Sequence, residues 1–228
     1  MKMPPFDDIT AVYTNLHSWI YETMVAPAVY ASRWIIDERF LDLLPRGARI
    51  LDVGSGGGLF TCYMAEQRPD IQIIGIDLSP PQIKRASKAA RRFGERVRFQ
   101  LGSALDLPFG DASFDGVITY GSIKHWPSWD RGVSECLRVL KPGGPFLLTD
   151  ADRSATWDDT TTFVRNWNSP AMMFNVNLGI FRTWVAGRSL DVDDVRAVAA
   201  PLALDDKDVG RVKGSPLVYI SGRRPSAG

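Results

Sequence analysis

Between residues 46 and 150, short apolar runs of strand length alternate with stretches of helix length, and few folds can absorb that alternation. The runs are 48–53, 71–76, Val97–Leu101, 114–120 and 146–149, several of them rich in the β-branched residues that suit a buried strand. Leu59–Gln67, 81–93 and 129–140 read as helices; Pro80 and Pro81 stand where prolines start one, and Pro142-Gly143-Gly144 stops the last. Such alternation means βαβ units, so the predicted class is α/β with a mostly parallel sheet and helices on both faces. The alternation lapses over 151–190, which holds Trp157, Phe163, Trp167, Phe181 and Trp184. A short helix, Val192–Ala199, and strands at 202–209 and 217–221 close the chain. The link between those strands is short enough for a hairpin, which makes the last strand antiparallel.

The first 45 residues read as helical. Val12, Leu16, Trp19 and Thr23 form one stripe and Tyr13, His17 and Tyr21 another, with Pro27 predicted to divide the segment into two helices. A chain of 228 residues that is 45% hydrophobic and 23% charged can bury a core, which excludes disorder as its main description. Lys and Arg total 27 against 26 Asp and Glu, a balance that argues against nucleic acid as a partner. Cys62 and Cys136 are far apart and the only histidines are His17 and His125, so neither a disulfide framework nor a structural metal site is expected. No apolar run approaches the length of a membrane span and no secretory signal opens the chain. The expectation is a soluble, cytoplasmic protein.

The most specific segment is Ile50-Leu51-Asp52-Val53-Gly54-Ser55-Gly56-Gly57-Gly58. Glycines between a buried strand and a helix permit positive φ and a close approach of backbone to ligand, a logic shared with dinucleotide loops. Here the spacing is Gly-x-Gly-x-Gly, and an acid precedes the first glycine by two residues. A second acid, Asp77, ends the next run, where its carboxylate can accept both hydroxyls of a ribose. The following strand end carries Gly102-Ser103-Ala104-Leu105-Asp106-Leu107-Pro108-Phe109.

With Phe114-Asp115 and Arg138-Val139-Leu140-Lys141-Pro142-Gly143-Gly144, these motifs resemble, in order and spacing, the class I S-adenosylmethionine-dependent methyltransferases of small molecules, including the quinone-biosynthesis C-methyltransferases. The resemblance implies a Rossmann-like sheet of seven strands, the last antiparallel, in a single domain. Residues 1–45 would be a helical arm, 46–150 the cofactor-binding core, 151–190 a cap insertion, and 191–228 the final helix and two strands. It implies S-adenosylmethionine as cofactor and S-adenosylhomocysteine as product. Gly54, Ser55 and Gly56 would pass the methionyl part, with Asp52 orienting the loop. Asp77 would hold the ribose, Leu78 and Gln82 would flank the adenine, the Ala104 amide would meet the ring edge, and Tyr120 would sit by the methionyl end. Ser103 stands where the family often has an aspartate that accepts from the adenine amino group.

Transfer from a sulfonium needs alignment of acceptor, methyl and sulfur, and a base only where the acceptor must lose a proton. His125 is the first candidate base, because it follows the fourth strand in Ser122-Ile123-Lys124-His125-Trp126; His17 is the second. Tyr13, Tyr21, Trp126 and Asp150 are the candidate acceptor contacts, and Asp152 and Arg153 also follow the fifth strand. All seven tryptophans lie outside residues 35–125, which predicts an aromatic lid over a small, apolar or aromatic acceptor. Three readings compete. A nucleic-acid or protein methyltransferase is disfavoured by the balanced charge and by the absence of Asn-Pro-Pro-Tyr after the fourth strand. A non-catalytic module of the same fold could bind S-adenosylmethionine or S-adenosylhomocysteine for regulation. A short-chain reductase would use Tyr120-x-x-x-Lys124, but there the pair sits on a helix, and here the tyrosine ends a strand.

Overall fold

The computed structural model describes residues 24–187 and 189–226; the stripe carrying Tyr13, His17 and Tyr21 lies outside the described residues. The described chain opens with two short helices, α1 (Ala26–Tyr30) and α2 (Trp34–Arg39), and a 3-10 turn at Leu41–Leu43. Seven strands follow, β1 (Arg49–Val53), β2 (Gln72–Asp77), β3 (Val97–Leu101), β4 (Gly116–Tyr120), β5 (Pro145–Ala151), β6 (Asp205–Arg211) and β7 (Leu217–Arg223). Helices α3 (Leu59–Gln67), α4 (Pro80–Ala89) and α5 (Trp129–Val139) connect the first five. Two more, α6 (Trp157–Arg165) and α7 (Phe174–Ile180), with a π-helical turn at Phe181–Ala186, fill the aromatic insertion, and α8 (Val192–Ala199) precedes the final hairpin.

The strand order is β3-β2-β1-β4-β5-β7-β6, parallel throughout β1 to β5, with β7 antiparallel to both neighbours. The order reverses between β1 and β4, and a crevice opens at such a switch point beyond the carboxyl ends of the strands. Successive strand residues face opposite layers. Ile50, Ile118 and Leu147 pack with α3 and the N-terminal elements, while Leu51, Val117 and Phe146 pack with α5 and α8. Helix α3 is buried from Phe60 to Ala65, which is why its sequence reads as an unbroken apolar stretch rather than as an amphipathic one.

Several boundaries differ from the sequence reading by a few residues, and two of the differences have a plain cause. The helix expected over 81–93 ends at Ala89, where a 3-10 stretch takes over and Gly94 adopts φ +60°. The sixth strand starts at Asp205 rather than at residue 202, because the Leu202 amide donates to Ala199 O and closes the turn after α8.

Two of the sequence motifs serve the frame. The Arg138 guanidinium donates to Glu135, to Asp111 and to the carbonyls of Leu107 and Phe109, pinning the loop after β3 against α5. Asp115 accepts from the Arg49 amide and from Lys141 Nζ, tying the starts of β1 and β4 to the turn before β5.

Candidate active site

At the carboxyl end of β1 the chain turns sharply through the glycine loop. The Gly54 and Ser55 amides donate to Ile76 O at 2.8 and 3.0 Å, which locks the loop to the end of β2. The Gly56 amide donates to Asp77 Oδ2 and the Ser79 amide to Asp77 Oδ1, both at 2.9 Å. Each oxygen of this carboxylate can accept a second hydrogen bond, and Asp77 lines the cavity beyond. Burial raises its pKa above the usual carboxylate value, against the lowering effect of the two amides.

Asp52 stands one layer deeper. It is 3% exposed and accepts a 2.5 Å hydrogen bond from Thr61 Oγ1. Burial, opposed by that hydrogen bond and reinforced by the nearby charge of Asp77, pushes its pKa up to about 7.

Gly56 has φ +53°, and a Cβ placed on it would meet nothing nearer than Gln82 Nε2 at 3.8 Å. The backbone is therefore bare toward the cavity. Two further polar atoms on this wall, Ser55 Oγ and Gln82 Oε1, are buried without a hydrogen-bond partner. Buried polar atoms are normally satisfied, so a wall with two such atoms beside a half-buried carboxylate fits a polar ligand. Gly56→Ala is expected to weaken ligand binding at least tenfold through strain and lost space, while its melting temperature falls by only a few degrees. Titration and a thermal melt of the same variant check both halves.

The cavity encloses about 760 Å³ and has two ends. One is walled by the glycine loop, Asp77, Leu78 and Gln82, and by Ser103 and Ala104 after β3. Ser103 Oγ accepts from the Leu105 amide at 3.1 Å, so this side chain shapes its own turn. The other end is mostly apolar. Tyr30 comes from α1, Phe60 and Tyr63 from α3, Tyr120 from β4, and Phe163 and Phe181 from the insertion. The Phe60 and Tyr120 rings lie 4.1 Å apart at 36°, forming a continuous aromatic floor. Tyr63 Oη donates to Asp37, and burial with that hydrogen bond raises its pKa far above the ordinary phenol value.

Most of the residues expected at the site meet on this cavity: Asp52, Gly54, Ser55, Gly56, Asp77, Leu78, Gln82, Ser103, Ala104, Tyr120, His125 and Trp126 all line it. Asp150 does not. Its carboxylate is fully buried and accepts from Lys124 Nζ, Ser189 Oγ and two backbone amides, so it supports the wall from behind. Asp152 and Arg153 are also turned elsewhere, Asp152 to Arg211 and Arg153 to Asp191 and Asp194.

The aromatic lid differs from the expected one. Among tryptophans with described side chains only Trp126 lines the cavity; Trp167 packs edge-on against Phe163 and Phe181, and Trp157 is exposed. The insertion reaches the cavity through phenylalanines instead. Phe60 and Tyr63 escaped the sequence reading, and Lys124 entered it only through the competing reductase pattern. Phe60 and Tyr63 recur at helical spacing just behind the glycine loop, the one signal that pointed to them.

A parallel sheet with a glycine loop at its switch point, an acid ending the second strand and an elongated cavity across both defines a domain that binds a nucleoside-type cofactor. Residues 51–148 match the methyltransferase domain family. The chain is 41% identical over 110 residues to a demethylmenaquinone methyltransferase of Symbiobacterium thermophilum, covering 47% of this chain and 44% of that protein. It is 35% identical over 140 residues to the 27-O-demethylrifamycin SV methyltransferase of Amycolatopsis mediterranei, covering 60% and 51%. The chain thus spans about half the length of the curated relatives it matches. A solved structure described as a putative S-adenosyl-L-methionine-dependent methyltransferase of Methanococcus maripaludis superposes with a TM-score of 0.68 at 16% identity, covering 100% of this chain and 98% of that one. That likeness speaks for the fold. Among the described residues no helix is long and apolar enough to cross a membrane, and no group of His, Cys, Asp or Glu could hold a metal ion.

Proposed function

We propose that this chain is a methyltransferase that uses S-adenosylmethionine to methylate a small, apolar or aromatic acceptor. The carrying observation is the wall formed by Asp77, bare Gly56 and the unsatisfied Ser55 and Gln82 oxygens. Asp77 would hold the ribose hydroxyls, Leu78 and Gln82 would flank the adenine, and Ala104 would meet its edge beside Ser103. Gly54, Ser55 and Gly56 would run along the methionyl part, with Asp52 beneath and Tyr120 opposite. When bound, S-adenosylmethionine supplies a methyl already activated by its sulfonium for in-line displacement. The protein's own task is alignment and exclusion of water by the aromatic end, an effect worth about 7–11 kcal/mol where orientation is complete.

His125 is the residue we assign to take a proton from the acceptor, and Trp126 to pack against it. His17, Tyr13 and Tyr21 belong to the same proposal as contributions of the N-terminal arm, and 151–190 acts as the cap of one 228-residue domain. The relatives named above are methyltransferases of demethylmenaquinone and of a demethylrifamycin, which supports a small-molecule acceptor.

The test is isothermal titration with S-adenosylmethionine, S-adenosylhomocysteine and NADPH side by side. Binding of the first two without the third is expected. Asp77→Ala removes a two-point contact to a charged acceptor, about 1.5–3 kcal/mol per bond, and should weaken both by more than about tenfold. A folded protein that binds none of the three, or an Asp77→Ala variant with unchanged affinity, would overturn the reading. Turnover on a panel of aromatic and lipid-like acceptors then separates an enzyme from a binding module.

A further inference from the structure

One cation on the cavity wall, Lys124, is paired with a carboxylate buried behind the wall, and the reading above does not use it. Lys124 sits on the 3-10 turn Ile123–His125 after β4, its side chain 10% exposed and part of the cavity wall. Its Nζ donates to Gly121 O and, at 2.8 Å, to Asp150 Oδ1. An ammonium carries three N–H donors, so one remains for a ligand. Asp150 is held in turn by the Ala151 amide at 2.7 Å, Ser189 Oγ at 3.0 Å and the Lys124 amide at 3.2 Å. The cation is fixed in place.

Such a pair is expensive to bury. Arg92, also on the cavity, is exposed and paired with Glu66. Position within the sheet tells which end of the cavity Lys124 serves. The glycine loop follows β1, whereas Asp150 belongs to β5, on the far side of β4. Its ion pair therefore draws Lys124 toward β5, on the side of β4 away from the glycine loop.

We propose that Lys124, positioned by Asp150, binds the acceptor through an ionised hydroxyl, and that the acceptor class is therefore a phenol or enol bound as its oxyanion. This rests on the methyltransferase reading for the word acceptor, but the anion site itself does not. The hydroxyl proton passes to His125, the base assigned above, and the anion is stabilised by a charge-assisted hydrogen bond from Lys124. The apolar walls take the ring.

The probes are 4-nitrophenol, whose anion is yellow and whose neutral form is not, and its ether 4-nitroanisole, each titrated into the full chain with and without S-adenosylhomocysteine. At a pH where the free phenol is mostly protonated, the bound phenol should turn yellow and bind at least about tenfold tighter than the ether. Lys124→Met leaves Asp150 buried without its cation, so the informative variant is the double replacement Lys124→Met/Asp150→Asn. It should bind phenol and ether within about twofold of each other, without colour, and keep its S-adenosylhomocysteine affinity; Lys124→Arg should keep the colour.

A colourless wild-type complex, or a wild type that binds neither probe, overturns the proposal without any variant. So does a preference for the phenol that survives the double replacement, or a loss of S-adenosylhomocysteine affinity equal to the loss of nitrophenol affinity. If the wild type fails to bind S-adenosylhomocysteine yet captures the yellow anion through Lys124, the cofactor reading falls and the anion site stands.

Discussion

A chain with alanine at position 54 is expected to lose S-adenosylmethionine binding altogether, along with about 2–5 kcal/mol of stability. Gly54 adopts φ +73°, a conformation an alanine occupies only under strain. Its added Cβ would also lie 2.4 Å from both Cβ and Oγ of Ser122. Ser122 cannot step aside, because its hydroxyl bonds Thr119 Oγ1 at 2.7 Å and Val53 O at 3.2 Å within a fully packed strand end. The alternative is movement of the glycine loop, and the loop carries the Gly56 amide that positions Asp77. Fold and ligand are thus coupled at this one residue. Pairing the change with Ser122→Gly should recover the overpacking part of the stability and leave the φ strain. Urea unfolding of the single and double variants measures that difference, and a Gly54→Ala protein with wild-type midpoint would show that the loop relaxes freely.

The second large effect concerns pH. Burial raises Asp52 to about 7, so the folded chain holds a proton there that the unfolded chain releases near pH 4. The sign follows from linkage. The contribution of Asp52 to stability is complete below about pH 4 and is lost as pH rises to about 7. Asp115, Glu135 and Asp191 are shifted the other way by their cationic and amide partners; their contributions are present above the ordinary carboxylate pKa and fail only in stronger acid. The Asp52 contribution to the stability of the ligand-free protein should therefore fall between about pH 4 and 7. Asp52→Asn keeps an acceptor for Thr61 and should be about 2–4 kcal/mol more stable than wild type at pH 8 and no more stable at pH 4. Binding of the cationic S-adenosylmethionine near pH 6 should release close to one proton from wild type and none from Asp52→Asn. Titration in buffers of different ionisation heat measures it; equal proton release would place the titrating group elsewhere.

What could be read from the residues followed from local periodicity. The five parallel strands, the helices at Leu59–Gln67 and Val192–Ala199 and the antiparallel last strand were legible, because each is marked by its own apolar run and its own glycine or proline punctuation. The cofactor end was legible for the same reason: its acids stand at strand ends, so adjacency in the sheet follows from adjacency in the motif. Lys124 and Asp150 show the limit. Their ion pair arises because β4 and β5 are parallel neighbours, with Tyr120 opposite Thr149, which brings the residues just beyond each strand together. A lysine and an aspartate 26 residues apart carry no local sign of that meeting. Asp150 accordingly read as an acceptor contact when it is the lysine's anchor. The cap was opaque because an aromatic residue of the insertion looks the same in sequence whether it packs on a neighbour, as Trp167 does after α6, or walls a cavity, as Phe163 does within it.

The two ends of the cavity are encoded in different ways. The polar end comes from one continuous stretch running from Asp52 to Leu105, whereas the aromatic end is assembled from α1, α3, the turn after β4 and the insertion. A replaced insertion, or an arm of different length, would reshape the acceptor space and leave every residue of the glycine loop, Asp77 and Gln82 untouched. Acceptor choice is in this sense modular, and cofactor choice is not. The stretch matching the methyltransferase domain family, residues 51–148, contains the whole polar end and Phe60, Tyr63 and Tyr120 of the aromatic one, while Tyr30, Phe163 and Phe181 lie outside it.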